Sequence, residues 1–115
     1  MSQTATIRVA DLIGSSFAVA TDDAMRVHEV IKEKLQKGEV VTLSFEGIDM
    51  LTTSFVNPCI AYLYRTFPAE VIEKRLRFEG VFPEDKEKID RAKERGREFY
   101  SDPALFESLL VASDH

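Results

Sequence analysis

Three hydroxyl side chains stand in a row, Thr52, Thr53 and Ser54, within the stretch FEGIDMLTTSFVNP that runs from Phe45 to Pro58. The residues before them read as the end of an apolar strand, and those after them as a helix start. A hydroxyl at such a junction meets free backbone amides and the positive end of the helix dipole. It can cap the helix, which is worth about 1 kcal/mol. It can also carry a phosphate, which the same amides would solvate and which adds about −1.5 to −2 charges. In a contact surface that charge can eject a partner. The residues alone leave both roles open.

The remaining chemistry-bearing residues are sparse. Of two histidines, His115 is the last residue, and His28 falls beside the apolar stripe of a helix, where a half-exposed surface residue is expected. A nucleophile needs an adjacent base held by a third group, and no serine has such a context in the sequence. One cysteine and two distant histidines cannot make a zinc-type ligand set, so no metal is expected. Glycine motifs that cradle phosphates are missing. The acidic pairs Asp22-Asp23 and Glu84-Asp85 fall where first helical turns are expected, and carboxylates there suit the helix dipole. Arg75 and Arg77 alternate along a strand and read as a solvated face. No enzyme activity and no cofactor are expected.

These residues need elements to hold them. Thr4–Ala10 alternates as a half-buried strand, Asp11–Ser16 reads as a turn, and Phe17–Ala20 as a short edge strand. Thr21-Asp22-Asp23 opens a helix whose apolar stripe is Ala24, Val27, Val30, Ile31 and Leu35, closed by Gly38. Val40–Phe45 is β-branched and nearly uncharged, which predicts a central strand with Val41, Leu43 and Phe45 on one face. The next helix carries Ile60, Leu63, Tyr64 and Phe67. Its cap is placed near Thr53 or Ser54 with a loosened first turn. A start at Asn57 stays open, because Pro58 would then sit at the first helical position, where its missing N–H costs nothing. A short helix to Lys74 leads into a strand over Arg75–Val81, with Leu76 and Phe78 inward. Pro83-Glu84-Asp85 starts a charged helix with a narrow stripe of Ile89, Ala92, Gly96 and Phe99. A last helix is expected over about 103–111, with Leu105, Phe106, Leu109 and Leu110. Strands alternating with helices predict an α/β domain with a mixed sheet of about four strands.

The 115 residues fit one domain spanning 1–115, with a core over about 5–100. A net charge of −5 argues against nucleic-acid binding, which needs a basic surface. The single Cys59, flanked by Pro58 and Ile60, reads as a buried inert thiol in a reducing, cytoplasmic setting. The opening MSQTATIRV has neither a basic start nor a long apolar run, so no leader is expected, and no run suits a membrane helix. A monomer and a homodimer both remain open.

VVTLSFEGIDMLTTSF, the helix ending in AYLY, and the later AEVIEKRLRFEGVFPEDKEKI together resemble the STAS-like domain family of unknown function, over roughly Phe17–Phe99. That family is related to the STAS domains of anti-sigma factor antagonists and sulfate transporters. The resemblance implies helices packed mainly on one face of the sheet. In the antagonist relatives a serine in the turn after the central strand is phosphorylated by a histidine-kinase-like ATPase acting as a serine kinase, which releases that partner. An ungapped match puts Ser54 on the phosphoacceptor and Thr53 on the hydroxyl before it. Thr52 stands where the relatives carry an acid, and Phe55 where they carry glycine. The expected function is a non-catalytic regulatory module that binds a protein through Thr52, Thr53, Ser54 and Asn57. The alternative is a sensor that holds a small anion or nucleotide at the same helix N-terminus.

Overall fold

Val40–Ser44 (β3) is the middle strand of a three-stranded sheet in the computed structural model, which describes residues 3–100. Thr4–Arg8 (β1) lies on one side of it and Leu76–Glu79 (β5) on the other, both parallel to it. The register puts Ile7, Leu43 and Phe78 in one row and Ala5, Val41 and Leu76 in the next. Ile7, Val41, Leu43 and Leu76 on this face are buried, whereas Thr4, Thr6, Arg77 and Glu79 on the opposite face are exposed. The period-two pattern of the three strands therefore selects the face that carries the core.

The sheet corrects two expectations. Among the described residues it is parallel throughout rather than mixed, and it holds three strands rather than four. Phe17–Ala18 (β2) pairs in parallel with Met50–Leu51 (β4) in a separate two-stranded sheet. The cause lies in the residues after β1. Val9–Ile13 forms a short helix (α1) where a turn was expected, because Val9, Leu12 and Ile13 also fit helical spacing. Val9 is buried, and Leu12 and Ile13 pack against the core. Gly14 ends α1 with φ +67, a left-handed conformation that glycine adopts without a Cβ clash. The chain thus passes beyond the end of β1 before β2 forms, and it meets the segment that has likewise passed beyond the end of β3.

Thr21–Gln36 (α2) buries Ala24, Val27, Ile31 and Leu35 along one stripe. Thr53–Ile60 (α3) packs against it and continues as a 3-10 turn over Ala61–Arg65. Ala69–Arg75 (α4) leads directly into β5. Pro83–Tyr100 (α5) packs on α3 and on the 3-10 turn through Ile89, Ala92 and Gly96. Phe55, Ile31, Leu43, Ile60 and Leu63 are fully buried at the centre. The helix expected over 103–111 lies outside the described residues. Among those described, no helix is long and apolar enough to cross a membrane.

Candidate functional site

The hydroxyl turn launches α3 from β4, not from the central strand as expected. Its entry is fixed by backbone bonds. The Thr52 N–H donates to the Ala18 carbonyl of β2 at 3.2 Å. The Thr52 carbonyl accepts from the N–H groups of Phe55 and Val56, at 3.1 and 3.0 Å. Thr52 is extended (φ −110°, ψ 159°) and occupies the cap position. Its side chain makes no capping bond, and Oγ1 is buried without a partner among the described residues.

Thr53 and Ser54 are the first two residues of α3, and both are exposed. Neither caps the helix, which corrects the cap expected at one of them. Ser54 Oγ has no hydrogen bond among the described residues, so nothing in the helix start accounts for this hydroxyl. Phe55, next to it, is fully buried. Phe55 is thus an anchor beneath the turn.

Asn57 does not start the helix. Pro58 lies inside α3 and is buried. It has no N–H to offer the Ser54 carbonyl, which removes one internal bond. The helix accepts that loss because Phe55, Val56, Cys59 and Ile60 all bury their side chains. Packing outweighs one hydrogen bond worth about 1 kcal/mol net. Thr53 and Asn57, four residues apart, share a helix face and line an open cleft of about 260 Å³ between α3 and α5. Thr52 and Ser54 do not line it.

The far wall of that cleft carries three cations that the sequence reading passed over. Lys88, Arg91 and Arg95 follow one another at helical spacing along α5, with Glu84 and Glu87 beside them. That spacing is the signal that could have found them. Lys88 Nζ donates to the Leu51 carbonyl at 2.7 Å and to Asp85 Oδ1 at 2.9 Å, so α5 is tied to the strand end just before the hydroxyls. Arg91 pairs with Glu87 at 2.6 Å.

His28 corrects another expectation. It is buried, 5 % exposed, between α2 and α3, with Nδ1 3.4 Å from the Cys59 carbonyl and its ring edge-on to Tyr62. Burial holds its pKa below the ordinary value, opposed in part by the Cys59 carbonyl and Glu29. Cys59 itself is fully buried, and desolvation pushes its thiol up to about 12. A thiol that stays protonated is a poor nucleophile. Asp22 and Asp23 lie in the first turn of α2, and Glu84 and Asp85 in that of α5. Among the described residues, no three histidine, cysteine or acidic side chains gather as metal ligands.

Comparison with known proteins gives one match. Residues 23–86 match the family described as a STAS-like domain of unknown function (DUF4325). The match begins in the first turn of α2, contains the hydroxyl turn, and ends in the first turn of α5. No curated protein and no solved structure matches the chain. With more than half of its residues inside that match, the chain belongs to the family of STAS-like domains of unknown function.

Proposed function

We propose that this domain is a non-catalytic regulatory module of the cytoplasm. It binds a protein partner through Thr52–Ser54 and the face of α3, and Ser54 is the phosphoacceptor that switches the contact. One observation carries this reading: Ser54 is exposed at the second position of α3, its hydroxyl is unbonded, and the helix is held from below by buried Phe55. The hydroxyl is therefore offered to solvent on a rigid support. A phosphate there would face the first amides of the helix and place about two negative charges on the contact surface. The partner class that fits is a histidine-kinase-like ATPase acting as a serine kinase. The test is intact-mass measurement after incubation with ATP and candidate kinases of that type, with Ser54→Ala as control. A single phosphoryl gain that Ser54→Ala abolishes is expected. No gain with any such kinase, together with full partner binding by Ser54→Glu, would remove the switch.

The cleft between α3 and α5 favours a second reading, a sensor for a small anion or nucleotide. Lys88, Arg91 and Arg95 face Thr53 and Asn57 across it. Two of these cations already hold carboxylates, which weakens the case. A thermal-shift screen with nucleotides and inorganic anions discriminates, because a ligand that binds only the folded state raises the melting temperature.

A further inference from the structure

Phe17 and Met50 are register neighbours in the two-stranded sheet. The following pair, Ala18 and Leu51, turns into the core, so Phe17 and Met50 turn outward, and each is 52 % exposed. Val19 and Phe82 are the other exposed large apolar residues among those described, at 38 % and 53 %. All four lie on segments that leave the C-terminal ends of parallel strands, and so at the same end of the sheet. Two contacts tie these segments together. A Cβ on Gly80 would stand 2.9 Å from the Glu46 nitrogen, and Lys88 holds the Leu51 carbonyl. A soluble fold normally buries such side chains, and a patch of them marks a contact surface. Met50 is four residues before Ser54, so the patch adjoins the hydroxyl turn.

The charges around the patch say what covers it. Asp22, Glu46, Asp49, Glu79 and Glu84 stand on the same segments, all exposed and in no ion pair among the described residues. The nearby cations are spent locally: Arg8 pairs with Asp11, Arg26 with Asp23, and Lys88 with Asp85. Lys86 alone on these segments is a cation outside an ion pair. The segments that carry the patch are thus apolar at Phe17 and Met50 and carry an excess of exposed, unpaired acidic residues. A second copy would bring like charges together, and anionic lipid or nucleic acid would be repelled.

We propose that the Phe17–Met50 patch docks a protein surface with an apolar anchor surrounded by lysine and arginine. This deepens the binding-module reading and rests on it. Complementary charge would speed encounter and reject acidic partners, while the apolar centre supplies most of the affinity.

The probe is a random peptide library displayed on phage and selected on the immobilised full chain. Enriched peptides should combine large apolar residues with Lys or Arg. Their affinity should fall at least tenfold on Phe17→Ser/Met50→Ser and on Glu46→Lys/Asp49→Lys, and should weaken as salt rises. Both variants change exposed residues, and unchanged circular dichroism and melting temperature confirm that they fold. Acidic or uncharged peptides, enrichment no better than on blank support, or equal binding to both variants would each overturn the proposal. So would self-association of the chain that Phe17→Ser/Met50→Ser abolishes, since the occupant would then be a second copy. Ser54→Glu separates this idea from the switch. Peptides that need Phe17 and Met50 yet ignore Ser54→Glu uphold the patch and count against control by phosphorylation.

Discussion

The Lys88 ammonium lies 2.7 Å from the Leu51 carbonyl oxygen. Met50 gives its N–H to the Ser16 carbonyl just before β2 and Thr52 gives its own to Ala18 in β2, so Leu51 presents its polar groups away from that strand. Lys88 therefore occupies the open edge of β4 and fastens α5 to the residue before the hydroxyl turn. A lysine at a strand edge also blocks pairing with a foreign strand.

Replacing Lys88 by Met keeps the aliphatic stem and removes the tie. Asp85, whose side chain is only 13 % exposed, then loses its partner. A loss of about 1–3 kcal/mol is expected, the usual scale for a hydrogen bond to a charged group. Urea denaturation measures it, and amide exchange should quicken first at Leu51, Thr52 and the start of α3. Unchanged exchange there would show that the tie does not hold the turn.

Gly96 supports Tyr64 on the other side of the core. A Cβ at Gly96 would fall 2.8 Å from the ring Cγ and closer still to Cδ1. In a solvent-facing helix, Gly→Ala gains about 1 kcal/mol from helix propensity. Here overpacking, about 1–3 kcal/mol, works against that gain. Gly96→Ala is expected to lower the melting temperature, and combining it with Tyr64→Leu should cost less than the two changes summed. A melting temperature raised by Gly96→Ala alone would show that the ring moves freely aside.

What the sequence made legible follows physical scale. Val40–Ser44 and Thr21–Gln36 are long enough for their periods to be read, and each occupies the predicted place. Phe17–Ala18 and Met50–Leu51 have two residues each, too few to carry a period or a partner. Their pairing is decided by where α1 delivers the chain. His28 was misjudged because its flanking position on the stripe says nothing of α3, which covers it from thirty-one residues away. The start of α3 was legible to within one or two residues. That the cap position falls on Thr52 rather than Thr53 or Ser54, and that its side chain makes no capping bond, was not, because the choice lies in side-chain rotamers and the packing of Phe55.

His28 gives the fold a pH dependence with a definite sign. Its pKa is lowered in the folded state from the ordinary 6.5, chiefly by burial, so the unfolded chain binds more protons between the two values. Stability therefore rises with pH across that window. The contribution is full above about 6.5 and is lost as pH falls toward the folded value. The cations Lys32 and Arg65 push the same way, and Glu29 opposes them. Denaturation series from pH 7.5 to about 5 should show a steeper loss for the native chain than for His28→Gln. Identical slopes would show that another group governs the window.

Thr52 provides the sharpest test of how the hydroxyl turn is built. Were its side chain a cap, Thr52→Val would cost about 1 kcal/mol. The observed Oγ1 is buried and unpartnered, so valine of nearly the same shape removes an unsatisfied polar atom. Stability should hold or rise by up to about 1 kcal/mol. Ser54→Ala, at an exposed position without a bond, should stay within about 0.5 kcal/mol of the native chain. Phe55→Ala, by contrast, empties a fully buried site and should cost about 3–5 kcal/mol. This order separates a hydroxyl held by the fold from one offered to a partner. A clear loss on Thr52→Val would return Thr52 to capping. A clear loss on Ser54→Ala would mean that the fold itself uses the Ser54 hydroxyl, and it would no longer be available as a switch.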